Sequence, residues 1–470
     1  MRRGAHALCL TLAAVLSLTG PLTAEDRAPD GAKTEHRYEL TLPQLQTLSA
    51  QAIQTGRYAL AVKIAGLMLT ANPDDPYAHF IIAQAYLRGG DAEKARQAAR
   101  KAYRFATTDV QKHEAARAAA MASARQERYF GAQIWMRRAL AASPDAEMTS
   151  RAANEFRAVR SRARLSVDGS ISVAPSSNVN GGSTEEISTV EGLPLVGILS
   201  PTAQALSGTE ARGELTLRYR LHRTETSQTD LRAHGSIKRV WLSEAAQDKA
   251  PRAENADFGT SLVEFGLLHR RKLSEGGPLL AFGAHVGRAW SGGEATYDFG
   301  RISATLIQPL GDKTALTLGL MRQEQYDLVG SAESVSTRAW SIGIGRKVWG
   351  ESRITLAFQL SDSASDNPQA IRETRGVRAG FELGPALGPV KLGLGLSATE
   401  SDYPDYRVLL PVPGGRQDRI WAADVDLTLH KMDYAGFVPT VRFRAERSTS
   451  NVSRFETEDL SVTLGFKSRF

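Results

Sequence analysis

The sequence predicts an α+β multidomain protein, in which an N-terminal α-helical tetratricopeptide-like solenoid is followed by a 14-stranded antiparallel transmembrane β-barrel. Three observations predict this fold. Apolar residues before residue 160 follow helical spacing and repeat at offsets of 34 and 37 residues, apolar and polar residues alternate from about residue 163 onward, and the chain ends on an aromatic strand. The predicted segments are a signal peptide at 1–24, a disordered leader at 25–40, a helical domain at 41–160 and the barrel at 161–470.

The first 24 residues have the order of a secretory signal peptide. Met1–Arg3 is basic, an apolar run extends from Ala7 to Leu18, and the small Ala24 is the predicted cleavage site. A run of 12 residues is too short for a transmembrane helix, which needs roughly 20. The single cysteine, Cys9, lies inside this run, so the mature chain has no thiol for a disulfide, a metal site or a nucleophile. No cofactor is predicted.

The helical half contains a repeat with small residues at fixed positions. A period of 34 residues is typical of tetratricopeptide repeats, in which small residues let paired helices approach closely. The predicted turns within the helix pairs are Gly56–Tyr58, Gly89–Asp91 and Glu127–Tyr129. A plain helical bundle is the alternative. The equivalent positions are Gly56, Ala61, Ala65, Met68 and Pro73, then Gly90, Ala95, Ala99, Ala102 and Thr107, then Ala120, Ala132, Met136, Ala139 and Pro144.

The second half divides into fourteen alternating stretches of about 10 to 16 residues, an even number as in bacterial barrels. The connections between them are long at one end, as at 175–209, and short at the other, as at 349–351. Long loops outside and short turns inside are the outer-membrane arrangement, which places the helical half in the periplasm. The last strand carries the predicted assembly signal, formed by Leu464, Phe466 and Phe470.

Charged residues occupy the strand face opposite the apolar one. A charge facing hydrocarbon costs about 2 to 4 kcal/mol, so these side chains are predicted to line the lumen. Their mixed signs predict a packed or gated polar interior rather than a simple ion-selective pore. The predicted lumen-facing residues are Arg218, Arg220, Arg378, Glu382, Asp424, Asp426, Arg442 and Arg444.

The helical half is strongly basic. Residues 88–164 contain 17 Lys and Arg against 8 Asp and Glu, a net charge of +9, which exceeds the +7 of the whole chain. This face could hold an acidic segment of a client protein or rest near anionic lipid headgroups, and a solvated helical surface is the plain alternative. Arg96, Arg100 and Arg104 are the predicted docking residues. Placement in the periplasm makes nucleic acid an implausible partner.

Motifs of catalysis are weak in this chain. There is no Gly-x-Ser-x-Gly elbow, and His113 is not followed by the second histidine of a zinc-binding helix. An embedded lipase or acyltransferase that uses His222, His234 or His285 remains an alternative, because a sequence cannot show whether side chains converge. The main prediction is that the protein is not an enzyme.

The segment Ala174–Asn180, Ala-Pro-Ser-Ser-Asn-Val-Asn, is similar to the Ser-Asn-Ile-Asn stretch after the first barrel strand of the surface lipoprotein assembly modulator (Slam) family, with Val179 in place of isoleucine. The order of signal peptide, short tetratricopeptide domain and 14-stranded barrel also resembles that family. The resemblance implies an outer-membrane translocator in a Gram-negative bacterium. It would deliver surface lipoproteins, or related soluble haem-binding clients, from periplasm to cell surface, without catalytic residues.

The partners implied are a client lipoprotein or secreted protein, outer-membrane lipid and the barrel assembly machinery, with a periplasmic chaperone as a further candidate. The client would be captured by the helical domain and passed via the barrel. Two alternatives stay open. A tetratricopeptide-barrel exporter of a surface polysaccharide usually carries many more repeats, and a passive porin or uptake barrel would not need the helical half.

Overall fold

The computed structural model describes residues 11–12, 38–329, 334–429, 432 and 437–468. The chain divides into two compact units, Met1–Ala163 and Arg164–Phe470. The predicted domain boundary between residues 160 and 161 lies close to this division. In the first unit, Thr11–Leu12 (β1) and Tyr38–Glu39 (β2) form a two-residue antiparallel pair.

Seven α-helices occupy the described residues between 42 and 162. Their bounds are α1 Leu42–Gln54, α2 Tyr58–Ala71, α3 Pro76–Gly89, α4 Ala92–Phe105, α5 Asp109–Arg125, α6 Tyr129–Ala141 and α7 Ala146–Arg162. Asp75, Asp91 and Asp145 begin three of these helices by accepting a bond from a backbone N–H of the first turn. None of the helices in the described part of the chain is long and apolar enough to cross a membrane.

Nine of the predicted repeat positions, those on α2, α4 and α6, pack in the helical core, whereas Pro73, Thr107 and Pro144 are exposed. The side chains from equivalent positions of α2, α4 and α6 are at most 1% exposed: Ala61, Ala65, Met68, Ala95, Ala99, Ala102, Ala132, Met136 and Ala139. The turns that precede these helices also correspond, because Gly56, Gly90 and Glu127 have φ angles of 76°, 92° and 58°. The prediction of a helical half is confirmed, and these features fit a tetratricopeptide-like arrangement.

Fourteen antiparallel strands close into one barrel, in which β18 pairs with β3, and the predicted 14-stranded barrel is confirmed. Each strand pairs with its sequence neighbours in the barrel. The bounds are β3 Leu165–Ser176, β6 Gly208–Arg223, β7 Ser227–Leu242, β8 Thr260–Lys272, β9 Leu279–Ser291, β10 Glu294–Pro309, β11 Thr314–Asp327, β12 Ser334–Lys347, β13 Arg353–Ser365, β14 Arg372–Glu382, β15 Lys391–Tyr403, β16 Arg416–Thr428, β17 Phe437–Ser450 and β18 Thr457–Ser468.

Two elements in the long connections are absent from the sequence prediction. A hairpin of β4, Ile187–Val190, and β5, Leu193–Ile198, lies between β3 and β6, and the helix α8, Glu244–Lys249, lies between β7 and β8. Each has at most six residues, which is too short for a period of 2 or 3.6 to be visible. We name the end of the barrel that carries these connections the long-loop end, and the opposite end the short-turn end.

The loops at the long-loop end pack against one another. Asn451, in the loop before β18, donates its side-chain N–H to the carbonyl of Gly415, in the loop before β16, at 2.8 Å. Thr184, in the first long loop, donates its N–H to the carbonyl of Glu456 at 2.9 Å. A buried cluster of Val190, Tyr406, Val412 and Val452 lies between the same three loops.

Glu127 provides a test of the repeat geometry. It is a non-glycine residue with positive φ at the position where the earlier turns have glycine, so Glu127→Gly should relieve backbone strain and stabilise the helical unit by about 1 kcal/mol. Urea unfolding of residues 38–163, followed by far-ultraviolet circular dichroism, measures the change. Glu127→Ala is the matched control, since alanine removes the same exposed carboxylate but keeps a Cβ. An equal or lower midpoint for Glu127→Gly than for Glu127→Ala would contradict the interpretation.

Candidate functional site

The barrel wall has two chemically different faces. On β6, Leu215 and Leu217 are exposed, whereas Thr216 and Arg218 point to the opposite side because side chains alternate along a strand. Exposed apolar side chains continue on the same face of the wall in β8, β9 and β10, as at Phe265, Val286 and Ile302. In a membrane barrel the apolar face meets lipid, so the charged face lines the lumen.

Asp424 is the centre of an ion-pair network that joins three strands of the lumen wall. It is 4% exposed, and its carboxylate accepts hydrogen bonds from Arg378 Nη2 on β14 at 2.9 Å and from Arg444 Nη1 on β17 at 3.3 Å. Gly395 lies on β15, the strand between Arg378 and Asp424. A Cβ at this position would be 1.9 Å from Asp424 Oδ2. Glycine is therefore required for the ion pair to cross the intervening strand.

A second ion pair adjoins this network. Arg442 binds Asp426 with both ends of its guanidinium, Nε to Oδ1 at 2.6 Å and Nη2 to Oδ2 at 3.0 Å. Glu446 accepts a further bond from Arg444. The structure thus brings together five of the predicted lumen residues, and Glu382 is exposed at the short-turn end of β14, away from them. The five are Arg378, Asp424, Asp426, Arg442 and Arg444.

The remaining predicted lumen residues, Arg218 and Arg220, lie on β6 in another part of the wall. Arg218 pairs with Asp168 on β3, and the backbone N–H of Arg220 donates to the carbonyl of Arg164 at 2.7 Å. The carboxylates in this part of the wall are absent from the sequence prediction.

Asp230 and Glu264 are the principal residues that sequence reasoning misses. Asp230 is 2% exposed and pairs with Arg270, and Glu264 is 3% exposed and pairs with Arg301, which reaches it from β10 across β9. An unpaired charge at such a buried position would cost several kcal/mol, so both carboxylates depend on their arginines. The alternation of side chains along β7 and β8 would predict their inward orientation, because both acids lie on the face opposite the exposed apolar residues.

The three histidines considered as catalytic make separate contacts. His222 is exposed at the short-turn end of β6, and His234 Nδ1 lies 2.9 Å from Thr216 Oγ1. His285 is buried on β9, and neither of its ring nitrogens has a hydrogen-bond partner among the described residues. No group of three or more His, Cys, Asp or Glu within the described ranges could hold a metal ion.

The Ala174–Asn180 motif completes the closure of the barrel. The ladder between β18 and β3 has five register pairs and is interrupted beside Pro175, which has no N–H to donate. Side chains supply bonds at this point. Ser176 Oγ donates to Asp459 Oδ1 at 2.6 Å, and Ser177 Oγ accepts the N–H of Leu460 at 3.1 Å. The motif therefore replaces part of the missing backbone ladder.

Two asparagines of the motif fix the first long loop. Asn178 accepts the N–H of Gly182 at 2.9 Å and donates to its carbonyl at 2.8 Å, while Asn180 accepts the N–H of Leu206 at 2.9 Å. Val179, between them, is 1% exposed in a cluster with Leu206. The motif thus has a structural explanation at the rim of the barrel.

The predicted docking residues lie along one face of α4, at intervals of four residues, opposite the buried alanines of the same helix. Arg96 has a side chain that is 19% exposed and pairs with Glu93 at 2.7 Å. Hydrogen bonds from Gln97 and Arg96 lower the pKa of Glu93 to about 2, so this pair stays ionised in the neutral range. Arg100 and Arg104 are exposed. Of the three, these two present cations to solvent.

The predicted assembly signal lies partly outside the described residues. Leu464 and Phe466 are exposed at the lipid-facing parity of β18, as expected for a strand that meets hydrocarbon. Phe470 lies outside the described range. Whether these residues direct barrel assembly stays a prediction.

The C-terminal part of the barrel identifies a related family. Residues 355–470 match the family model of the Surface lipoprotein assembly modifier, SlipAM. The match covers most of β13 and all of β14 to β18, and it includes the Asp424 network. The resemblance predicted from the sequence is confirmed over this stretch. Together with the closed barrel, the SlipAM match supports an outer-membrane role in surface lipoprotein assembly and indicates a transport barrel rather than an enzyme.

Solved structures give weaker likenesses. OccAB1 of Acinetobacter baumannii is 10% identical, with 64% of this chain and 96% of that chain covered and a TM-score of 0.33. Outer-membrane expressed OmpT of Vibrio cholerae is 9% identical, with 65% and 97% covered and a TM-score of 0.33. The type III secretion translocator chaperone SycD of Yersinia enterocolitica is 17% identical, with 26% and 85% covered and a TM-score of 0.24. At such TM-scores these likenesses carry no argument about function. No curated protein matches the chain by sequence.

Gly395 tests the ion-pair network. Gly395→Ala should displace the Asp424 carboxylate from its two arginines and destabilise the barrel by about 1 to 3 kcal/mol. The temperature at which the folded, fast-migrating band disappears on unheated gels measures this change. Gly393→Ala is the matched control, because its Cβ would lie 3.4 Å from the nearest atom of Asp426, an ordinary contact. Equal transition temperatures for the two variants would show that the space at Gly395 is not needed.

Proposed function

We propose that this protein is an outer-membrane translocator that delivers surface lipoproteins, or related soluble client proteins, from the periplasm to the cell surface. The helical unit captures the client in the periplasm, and the barrel provides the passage. The match of residues 355–470 to the SlipAM family carries this proposal, because those strands form the lumen wall around Asp424.

The chemistry of the lumen supports a route for a hydrophilic chain. The charges on the inner wall are mostly paired within the wall, as in Arg378–Asp424 and Arg442–Asp426. A passing chain therefore meets a polar surface without a strong field of one sign, and binding remains weak enough for release. The long-loop end faces the cell exterior in this proposal, in accordance with the usual asymmetry of loop lengths.

The helical unit supports capture of an acidic segment. Arg100 and Arg104 expose cations on α4 within a basic stretch, while α4 is held in place by its buried alanines. Electrostatic attraction raises the rate of encounter with an acidic partner and falls with ionic strength. Lipid contacts of the barrel belt, insertion by the barrel assembly machinery and delivery of the client by a periplasmic chaperone complete the proposal.

Deletion of the protein tests the function directly. We expect one or two lipoproteins to become resistant to protease on intact cells while their total amounts stay unchanged, because they are made but no longer reach the surface. Immunoblotting before and after shaving measures both quantities. A complementing plasmid should restore sensitivity. Normal display of every lipoprotein, together with loss of a surface polysaccharide, would establish the exporter alternative instead; loss of small-solute uptake alone would establish the porin alternative.

Reversal of the exposed arginines tests the capture surface. Arg100→Glu with Arg104→Glu should weaken binding of the client at low salt, and the difference from wild type should shrink as salt rises, because exposed charges are screened over about 10 Å at 0.1 M. Titration of the purified client at two salt concentrations gives the affinities.

The matched control for this reversal is Arg57→Glu with Lys63→Glu, which makes the same change in net charge at two exposed positions, Arg57 just before α2 and Lys63 within it. We expect the control to bind as wild type does. Equal losses in the two double variants would indicate a general effect of net charge, and unchanged binding in the α4 variant would remove this face from the capture surface.

A further inference from the structure

The inner wall is exposed along β13. Arg353 to Leu360 are eight consecutive exposed residues, although their side chains alternate between the two faces of the wall. β13 is therefore uncovered on its inner face as well as on its lipid-facing side. Four of these positions are on the inner face. The charged Arg353 lies at the short-turn end of the strand, whereas Thr355, Ala357 and Gln359 lie opposite Gly345, Gly343 and Ser341 of β12. We name these last six residues the smooth strip, because each has a small or uncharged side chain.

The lumen wall formed by β7 to β10 is filled instead. On β9 the outward Phe282 and Val286 are exposed, but the inward Gly283, His285 and Ala289 are buried. In this part of the wall, aromatic rings lie over the glycines of neighbouring strands. A Cβ on Gly266 would lie 1.9 Å from the ring of His285, and one on Gly287 would lie 2.5 Å from the ring of Phe299. The ion pairs Arg270–Asp230 and Arg301–Glu264 add to this packing.

The wall around the smooth strip also becomes buried toward the long-loop end. On β12, Ser341 is exposed but Ala339, two residues closer to the long loops, is buried, and on β13 the same change occurs between Gln359 and Ser363. The hydroxyls of Thr337 and Ser363 lie 3.0 Å apart at this level. The exposed part of the inner wall is thus located in the middle and the short-turn half of these strands.

We infer that the water-filled path of the barrel runs along the smooth strip of β12 and β13, and that it carries an extended, unfolded segment of polypeptide. This inference rests on the proposed function and specifies the route within it. A 14-stranded barrel whose β7 to β10 side is packed with side chains leaves no room for a folded domain. Small neutral side chains allow a polypeptide to pass, since they offer hydroxyls and backbone groups for weak hydrogen bonds but no ionic or apolar group that would bind the polypeptide tightly.

Thiol labelling locates the path without any client. The sequence has one cysteine, so Cys9→Ser gives a parent without thiols, into which Ala357→Cys, Ala289→Cys or Ala422→Cys is introduced singly. All three alanines face the lumen, but Ala357 is exposed whereas Ala289 and Ala422 are buried. Full-length protein in detergent, checked for the folded mobility on unheated gels, is treated with a charged methanethiosulfonate and labelling is followed by mass spectrometry.

We expect Ala357→Cys to react at least about tenfold faster than the two buried controls, because a buried thiol reacts only when the wall opens locally. All three should react completely after denaturation, which verifies the thiols. Equal rates, or faster labelling at Ala289, would overturn the location of the path and leave the proposed function untouched. If Ala357→Cys does not fold, Ser341→Cys tests the same strip with the same expected and contrary results.

A bulky substitution then tests passage of the client. Ala357→Trp should reduce protease-sensitive display of the client on intact cells, whereas Ala379→Trp, which faces lipid on β14 at the same register as Leu356, should not. Both variants are compared at equal amounts of folded barrel. Full display with Ala357→Trp would overturn the route, and loss of display in the deletion strain would still support the proposed function. Absence of any display defect in the deletion strain would overturn the proposed function itself.

Discussion

Closure of the barrel is the constraint on which the rest of the structure depends. Inside a bilayer every backbone N–H and C=O needs a partner within the protein, and a barrel provides this only if its first and last strands pair. The β3–β6 ladder has twelve register pairs, but the closing β18–β3 ladder has five. Side chains of Ser176 and Ser177 replace missing backbone hydrogen bonds beside Pro175. The short sequence motif and the final strand therefore close the barrel together.

Charge pairing in the lumen is the second requirement, and it follows from the first. A closed wall leaves half of the side chains facing inward, where carboxylates such as Asp424, Asp230 and Glu264 are buried and need cations. Pairing takes place within the wall and can cross an intervening strand, as it does over Gly395 and over β9. The paired side chains thereby occupy particular parts of the lumen, whereas the smooth strip itself carries no charge, although Arg378 lies beside Ala357 on the next strand.

The sequence predicts the fold well because each barrel strand alternates for ten or more residues, which makes the period visible without knowledge of partners. The hairpin of β4 and β5 and the helix α8 are not predicted, since their short lengths hide any period. For the lumen, the parity of Asp424 and Arg378 is readable from the sequence, but their pairing is not, because it depends on the register of β15 and on the missing side chain of Gly395.

The buried carboxylates that the sequence does not predict are missed for the same physical reason. Glu264 and Arg301 are 37 positions apart, and the pairing of β8 with β9 and of β9 with β10 brings them together. Arg96 illustrates the opposite error, because a positive charge counted as available in the sequence is already paired with Glu93 one turn earlier. Composition therefore indicates where charge is abundant, whereas the three-dimensional register decides which charges are left to meet a partner.

The packing of the long loops has a consequence for how this end of the barrel can open. Val190, Val412 and Val452 come from three different loops and share one buried cluster, and Asn451 and Thr184 tie the same loops by hydrogen bonds. Moving one loop would expose the apolar faces of the other two, so each displacement lowers the cost of the next. Opening should therefore be cooperative, with a closed and an open population and few intermediates between them.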